Sequence, residues 1–382
     1  MAQGYTGFIN FPELSQEAQQ EELHQILSTL KSMGTNQISC WLAEQNADQT
    51  KLIQATCKSL EIGLVGAIFP ALVFDSTLRN TGCLIKALPD TCQPRLISCE
   101  NQPADAIADK VAQLDAIPSD TPPGNQQANL FLVFDAQQPN ISDILDQLYL
   151  KLHKSVRYSG ANAGSETFQP TACLFDSDRQ IGYGLWALLY NTEFDTALAH
   201  GYKNFEPITA TSTTGNRIHS INWRNAFEVY QEEIFNRYQQ KVTADNFYDY
   251  ATHFPFGIMR MAGQPLVRIP VAVEDDGTLV CVGDIPEHTV ISLLQGVKAD
   301  GTETLDLLAH QLKKPAPDYQ VFYCAGRRMH LGKQADHELK LLSERFPNTH
   351  LSGALSLGEI CNDEGQGYPL FHNAAIVCCP WL

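Results

Sequence analysis

The feature that most constrains this chain is a unit that occurs three times along its 382 residues. Each copy shows the pattern of a strand, an amphipathic helix, a second strand and a further apolar segment. The copies begin at Asn36 with NQISCWLAEQ, at Asn129 with NLFLVFDAQ and at Tyr319 with YQVFYCAGR. This repetition predicts a mixed α/β fold in which one strand-helix-strand unit is used three times.

A Gly-Ala dipeptide occupies the same place in every copy. The dipeptides begin at Gly66, Gly160 and Gly353, near the end of the second strand of each unit. A recurring glycine indicates a backbone that takes positive φ or approaches a neighbour closely. We therefore predict a glycine turn at the end of each second strand.

The turn of the second copy, YSGANAGSE at residues 158–166, resembles a phosphate-binding loop in composition. Nucleotide-binding loops place their glycines between a strand and a following helix. The next segment here, TFQPTACLFDSD, carries a proline and alternates like a strand, which argues against a nucleotide site. Two interpretations remain: a tight turn with satisfied polar groups, or the edge of a ligand pocket. The pocket would use Ser159, Gly160, Asn162, Gly164 and Ser165.

The segments between the copies indicate how the chain is divided. Residues 118–128, PSDTPPGNQQA, have the composition of a surface linker. The pattern WRNAFEVYQEEIFNRYQQ, which starts at Trp223, predicts a long amphipathic helix that leads into the second half. Two strands are expected around the Asp-Asp-Gly turn at residues 275–277, and ETLDLLAHQLK predicts another helix.

Charge and cysteine content exclude several classes of function. The net charge of −17 would repel nucleic acid and anionic membrane surfaces, so neither is expected as a partner. The beginning of the chain lacks the pattern of a signal peptide, and no apolar run is long enough to span a bilayer, which predicts a cytoplasmic protein. The eleven cysteines form no CxxC pair and lie in apolar contexts. We expect buried reduced thiols rather than disulfides or a zinc site.

Five separated stretches resemble the two-part FIST sensory domain of intracellular signalling proteins. They are SGANAGSE, AHGYKNFEPITATSTTGNRIHSINWRNAFEVYQEEI, VFYCAGRRMHLG, GALSLGEI and LFHNAAIVC. The resemblance implies a FIST N-terminal domain over residues 1–222 and a FIST C-terminal domain over residues 223–382. It also implies ligand sensing rather than catalysis. Because no output module is evident in the sequence, signalling is expected to pass through another chain.

An enzyme that uses Cys324 as its nucleophile is one alternative. Cys324 ends an apolar strand, and the cations of Arg327 and Arg328 could lower its pKa. Such an enzyme would need a base from His330, His337 or His372. The competing interpretations are a packed thiol with Arg327 bound to a core carboxylate such as Glu359, or a ligand contact.

A simple small-molecule binder is another alternative. Glu359 and the pair His372 and Asn373 flank the Gly-rich loop CNDEGQGYP. If the flanking strands pair, these side chains face one another near the glycine turns at Gly160 and Gly353. The arrangement suits a ligand with amine or carboxylate groups, such as an amino acid. A hydrogen bond between Glu359 and His372 would be the purely structural explanation.

Standalone FIST chains of this length are similar to bacterial haemoproteins that sense nitric oxide and report to a sensor histidine kinase. This resemblance implies haem b as cofactor, a gas ligand and a kinase partner. Haem iron usually takes a neutral imidazole. The candidate iron ligands are His372 and His200, with His288 and His253 as further cofactor contacts. We therefore expect a haem-based nitric oxide sensor, with a non-haem sensor of a small metabolite as the alternative.

Overall fold

The computed structural model describes residues 6–11, 15–114, 127–261, 263–297, 302–362 and 367–381. The described residues of the first half of the chain form thirteen strands and four α-helices. In order they are β1 Thr6–Ile9, α1 Gln16–Ser32, β2 Gln37–Ala43, α2 Thr50–Ser59, β3 Gly63–Phe69, β4 Ala71–Phe74, β5 Thr77–Arg79, β6 Cys83–Leu88, β7 Arg95–Ser98, α3 Ala104–Ala112, β8 Gln127–Asp135, α4 Ile141–Leu152, β9 Val156–Ala163, β10 Leu174–Asp176, β11 Gln180–Ile181, β12 Gly184–Thr192 and β13 Ala197–Ala199.

The described residues of the second half form thirteen further strands and five α-helices. Its elements are β14 Lys203–Thr214, β15 Arg217–Ile221, β16 Arg224–Asn225, α5 Ala226–Tyr238, α6 Phe247–Ala251, β17 Phe256–Ile258, β18 Leu266–Arg268, β19 Pro270–Val273, β20 Leu279–Cys281, β21 Thr289–Gln295, α7 Glu303–Gln311, β22 Asp318–Cys324, α8 Ala325–Leu331, α9 Ala335–Arg345, β23 His350–Ser356, β24 Glu359–Asn362, β25 Pro369–His372 and β26 Ile376–Pro380.

These strands form four sheets, which confirms the predicted mixed α/β class. Sheet A has the order β1-β6-β2-β3-β10-β11, and sheet B has the order β13-β26-β22-β23-β4-β5. Sheet C has the order β25-β24-β9-β8-β12-β7. Sheet D has the order β18-β17-β21-β14-β15-β20-β19, with β16 paired to β15. Among the described residues, no helix combines the length and the apolar character that a membrane crossing requires.

The threefold repeat is confirmed at the centre of sheets A, B and C. The parallel pairs β2 with β3, β8 with β9 and β22 with β23 are each the two strands of one copy. The repeated glycines lie near the middle of all three pairs, opposite Cys40, Leu132 and Val321 respectively. The alanine that follows each glycine is buried in one shared core.

The predicted glycine turns are wrong, although the close approach is confirmed. Gly66, Gly160 and Gly353 lie inside β3, β9 and β23, and the strands continue beyond them. A Cβ built on Gly160 would overlap the carbonyl oxygen of Leu132, and one on Gly353 would overlap that of Val321. The glycines therefore allow two parallel strands to approach each other closely within a packed sheet.

The shared core is a cluster of aromatic side chains that all three repeat sheets contribute to. The indole of Trp41 stacks on that of Trp186 with ring centroids 5.3 Å apart, and its Nε1 donates to Gln320 Oε1 at 3.1 Å. Alternate residues of β8 face opposite ways, towards this core or towards α3 and α4. Helices α7 and α9 pack on the outer face of sheet B in the same manner. Sheets A, B and C thus surround one centre with helices outside.

Sheet D carries its own core against α5 and α6. The helix predicted from Trp223 is confirmed as α5, which Asn225 caps by accepting from the backbone N–H groups of Phe227 and Glu228. The hairpin of β19 and β20 confirms the turn predicted at residues 275–277. Helix α7 is the helix predicted from ETLDLLAHQLK. The predicted linker lies outside the described residues up to position 126, and its last two residues begin β8.

Sheets B and C each combine strands from both halves of the chain. Strands β4 and β5 of the first half extend sheet B beside β23, whereas β24 and β25 extend sheet C beside β9. A buried ion pair joins sheets A and B, because Lys86 Nζ lies 2.7 Å from Asp318 Oδ1. The eleven cysteines are all buried free thiols, as the sequence predicted.

Candidate functional site

An open cleft of about 720 Å³ lies where sheets B, C and D meet. Its walls come from the start of β9, the segment around β13, the loop before β18, the end of α7 and the hairpin of β24 and β25. Most of the side chains that line it are polar. They include Arg157, Asp195, Thr196, Arg260, Gln264, His310, Gln311, Lys313, Asn362 and His372.

His372 is the predicted site residue that the structure places in this cleft. It ends β25 and is 7% exposed. The ring bonds to the backbone of Cys361, while Nε2 is buried with no protein partner. Burial, together with the charges of Arg268 and Arg260 and the nearby His200, holds the pKa of His372 well below its usual value. Nδ1 therefore donates to the backbone, and Nε2 presents a lone pair.

The cleft is positively charged although the whole chain is acidic. Its described lining includes three cations, Arg157, Arg260 and Lys313, against the single carboxylate of Asp195. Arg157 Nη1 donates to the Phe194 carbonyl at 2.9 Å and lies 2.9 Å from Asp195 Oδ1. These contacts fix the position of the guanidinium in the cleft lining. A concave surface with this charge balance attracts anionic groups of small ligands.

His200, the second predicted iron ligand, has no ring nitrogen available. Its Nε2 lies 3.0 Å from the Pro265 carbonyl oxygen, and its Nδ1 accepts from the Tyr202 N–H at 2.9 Å. Burial lowers the pKa of His200 to about 4. The ring is therefore neutral, and both of its nitrogens are hydrogen-bonded to the backbone. The prediction that His200 is a metal ligand is wrong.

The other two predicted histidines also lie outside the cleft. His253 Nδ1 is 2.6 Å from His330 Nδ1, so these two rings bond to each other. His288 is exposed, with a side chain 73% accessible beside Glu287. Neither lines the cleft with His372, so the structure does not support His253 or His288 as cofactor contacts at this site.

Glu359 and His372 stand directly opposite each other in the β24–β25 pair, as predicted. Their side chains nevertheless have different partners. Glu359 accepts from Ser356 Oγ at 2.5 Å and from the Ala375 N–H at 3.4 Å. Burial raises the pKa of Glu359 to about 8. The proposed hydrogen bond between Glu359 and His372 is replaced by these contacts, and Glu359 is fully buried outside the cleft lining.

Cys324 does not have the environment of an activated nucleophile. Burial and the nearby Glu359 carboxylate raise the pKa of its thiol, opposite to the lowering that the neighbouring arginines suggested. Its sulfur accepts from the Ala374 N–H at 3.0 Å. Cys324 and Asn373 line a small apolar cavity of about 30 Å³, separate from the cleft.

Arg327 is fully buried and is bound to Glu338, which corrects the predicted pairing with Glu359. Its Nε lies 2.7 Å from Glu338 Oε2, and its Nη2 lies 2.5 Å from Glu338 Oε1. The same guanidinium donates to the His200 carbonyl at 2.6 Å and to Thr304 Oγ1 at 2.9 Å. It therefore ties α8 to α9, α7 and the segment after β13, rather than forming part of a ligand pocket.

The residues predicted around the second glycine have separate roles. Ser159 is buried and exchanges hydrogen bonds with Asn129. Gly164 follows β9 at φ +132° and donates its N–H to the Ile68 carbonyl. Asn162 is 1% exposed, and its Oδ1 has no partner. It lines a further cavity of about 470 Å³ that does not include His372.

The single pocket expected from Gly160, Gly353, Glu359 and His372 is therefore wrong: only His372 lines the cleft. Sequence reasoning missed its cations. Arg157 directly precedes the YSGANAGSE stretch, so its place in the second repeat was a usable signal. Arg260 and Lys313 lie in irregular segments that carry no pattern.

Together these features define an α/β protein with a polar, solvent-accessible cleft where sheets B, C and D meet. Comparison with known families agrees. Residues 39–224 match the FIST N domain and residues 226–362 match the FIST C domain. The chain belongs to the FIST family, whose members act in signal transduction by sensing small ligands. No curated protein matches the chain.

Proposed function

We propose that this protein senses a small metabolite carrying both a carboxylate and an amine, such as an amino acid, in the cleft at His372. The observation that carries the proposal is the buried Nε2 of His372, which has no protein partner, in a cleft rich in cations. An ammonium group donates to the neutral imidazole, while Arg157 and Arg260 bind the carboxylate. We further propose that the protein acts by binding rather than by catalysis.

Calorimetric titration with free L-amino acids tests the ligand class. Each binding amino acid is compared with the amine that lacks its carboxylate and the acid that lacks its amine. Loss of one hydrogen bond to a charged group costs about 1.5–3 kcal/mol, so both analogues should bind at least about tenfold more weakly. Equal affinity for the amino acid and its amine would contradict the assignment of the cations.

The histidines provide a matched pair of variants. His372→Ala should abolish or strongly weaken binding because it removes the acceptor in the cleft. His288→Ala changes an exposed histidine and should leave binding unchanged. Unchanged affinity in His372→Ala, with the fold verified by thermal melting, would refute the site.

A haem-based nitric oxide sensor is the second candidate, because the same free imidazole suits haem iron. The hydrogen bond from the ring to the Cys361 backbone is the kind of support that orients metal-binding histidines. Arg157, Arg260 and Lys313 would pair with the propionates. Haem, when bound, supplies an iron that takes nitric oxide. The walls contribute few apolar side chains, chiefly Leu198 and Leu307, which ranks this candidate second.

Hemin titration followed by desalting separates the two candidates. The haem hypothesis predicts about one equivalent retained, a Soret band that shifts when nitric oxide meets the ferrous form, and loss of colour in His372→Ala. A protein that emerges colourless eliminates haem and leaves the metabolite sensor.

We propose that the signal passes to a sensor histidine kinase. A ligand shifts a two-state equilibrium only if it binds one state more tightly, so the kinase must distinguish the two states. The test measures autophosphorylation of a kinase captured on the immobilised protein. Ligand should change its rate with the natural sequence and not with His372→Ala. A kinase that responds equally to the occupied and empty protein would refute the sensing role.

A further inference from the structure

A second cavity of about 470 Å³ lies between sheets C and D, away from the His372 cleft. One wall is the turn that joins β8 to α4, residues 136–140, with the first residues of α4. The opposite wall is β20 and the segment after it, up to Asp284. The cavity therefore lies beyond the carboxyl end of β8, in the parallel β8–β9 pair, where α/β proteins commonly bind ligands.

Two residues that line this cavity carry a buried amide oxygen with no protein partner. Asn162 is 1% exposed and Gln138 is 6% exposed, and both line the cavity. The Nε2 of Gln138 donates to the Pro139 carbonyl at 3.0 Å and to Asn140 Oδ1 at 3.1 Å, which leaves Oε1 unbonded. Asn162 Oδ1 is also without a partner. A buried acceptor without a donor is costly, so two in one cavity indicate a ligand that supplies donors.

The same cavity also offers hydrogen-bond donors. Helix α4 has twelve residues, and Asn140 at its start makes no side-chain capping bond. The N–H groups of its first turn have no partner within the helix. Ser142 of that turn lines the cavity and adds a hydroxyl. A ligand here must therefore both donate to amide oxygens and accept from N–H and O–H groups.

The charge of the cavity differs from that of the first cleft. Its described lining contains no arginine, lysine or histidine, and its only charged residue is Asp284. Phe168, Phe371, Val271 and Leu357 give it apolar surface between the polar groups. The nearest cation is Arg268, which lies behind this lining, fully buried, and donates to the carbonyl groups of Asp284 and Phe371. Phosphates and carboxylates would therefore meet no exposed cation in the cavity, whereas a neutral ring with hydroxyl groups and C–H faces matches both kinds of surface.

We infer that this cavity is a second ligand site, for a neutral polyhydroxylated molecule of the size of a simple sugar. The hydroxyl groups donate to Asn162 Oδ1 and Gln138 Oε1 and accept from the start of α4. The apolar face packs on Phe371. One wall belongs to sheet C and α4, and the other wall belongs to sheet D. A bound ligand therefore contacts sheet C and sheet D at the same time.

The test titrates the full chain with D-glucose, D-galactose, D-mannose, D-ribose and myo-inositol, with glucose 6-phosphate and gluconate as charged counterparts. Ligand-observed NMR detects weak complexes. At least one neutral probe should bind, and its charged counterpart should bind at least about tenfold more weakly. No binding of any neutral probe at about 10 mM, or preference for the charged forms, would overturn the proposal.

Variants assign the binding to this cavity. Gln138→Leu removes an acceptor and should weaken binding at least about tenfold. Ser142→Trp places an indole in the cavity from a half-buried position and should block it even if Gln138→Leu does not fold. Leu150→Trp, on an exposed part of the same helix, is the matched control and should bind normally. Normal binding in Ser142→Trp would refute the site.

The two sites are separable. His372→Ala should leave sugar binding unchanged, and Ser142→Trp should leave amino acid binding unchanged. Loss of sugar binding in His372→Ala would show that the sugar occupies the first cleft and would overturn this inference, without affecting the test of the first site.

Discussion

Replacing Arg327 by Met should destabilise the fold more than any exposed substitution. The guanidinium is completely buried and makes two short bonds to the carboxylate of Glu338, whose side chain is 5% exposed. After the substitution, this carboxylate keeps the hydroxyl of Tyr323 at 2.7 Å but loses its cation. Removal of one partner from a buried ion pair costs about 3–5 kcal/mol, because the remaining charge stays without compensation.

Urea denaturation of the purified variants measures this cost. Arg327→Met should lower the free energy of unfolding by about 4 kcal/mol with an unchanged dependence on urea concentration. In the double variant with Glu338→Gln, both charges are gone and Tyr323 retains an acceptor. The double variant should recover about half or more of the free energy of unfolding that Arg327→Met loses.

Glu359→Gln provides the control, because the sequence alone suggested Glu359 as the partner of Arg327. Combined with Arg327→Met, Glu359→Gln should recover none of the lost free energy of unfolding, because Glu359 bonds to Ser356 and Ala375 instead. Rescue by Glu359→Gln and not by Glu338→Gln would refute the pairing. A cost below about 1 kcal/mol for Arg327→Met would refute the argument from buried charge.

Three further outcomes are expected. The free energy of unfolding should fall as the pH drops below 6.5, because His200 takes up a proton in the unfolded chain but stays neutral in the folded protein, where its pKa is about 4. The contribution of His200 to this fall is about 2 kcal/mol between pH 7 and pH 5. Denaturation of the His200→Asn variant across this pH range should not show that contribution. Gly160→Ala should abolish soluble expression or cost several kcal/mol, since its Cβ would overlap the Leu132 carbonyl, and a normal melting temperature would contradict the close approach. Cys324→Ala should cost on the order of 1 kcal/mol and leave ligand binding intact, whereas covalent capture of an electrophilic substrate with turnover would favour an enzyme.

Local features of the fold could be predicted from the sequence because they depend on short-range pattern. Strand and helix periodicity located all three repeats, and the apolar spacing after Trp223 located α5. The repeated Gly-Ala dipeptides indicate a special backbone position, but they do not show whether it lies in a turn or inside a strand. A single sequence does not distinguish a glycine that allows two strands to approach closely from a glycine that forms a turn.

Long-range partners could not be predicted in the same way. Glu338 and Glu359 are both acidic residues downstream of Arg327. Arg327 pairs with Glu338 because α9 packs against α8, and this packing cannot be read from the sequence. His372 was identified because its strand flanks a polar loop, but its neighbours Arg157 and Arg260 come from distant segments. A cleft formed by several separated loops has no signature in the order of residues.

The sharing of strands between the two halves affects how the chain must be synthesised. A nascent chain leaves the ribosome from its first residue onward, so β9 is complete long before its neighbour β24 exists. Until β24 is synthesised, β9 is an exposed edge strand of sheet C. In the same way, β4 has no β23 to pair with until the second half of the chain is made. The first half should therefore rely on chaperones during translation, and the two halves expressed separately should aggregate unless they are produced together in one cell.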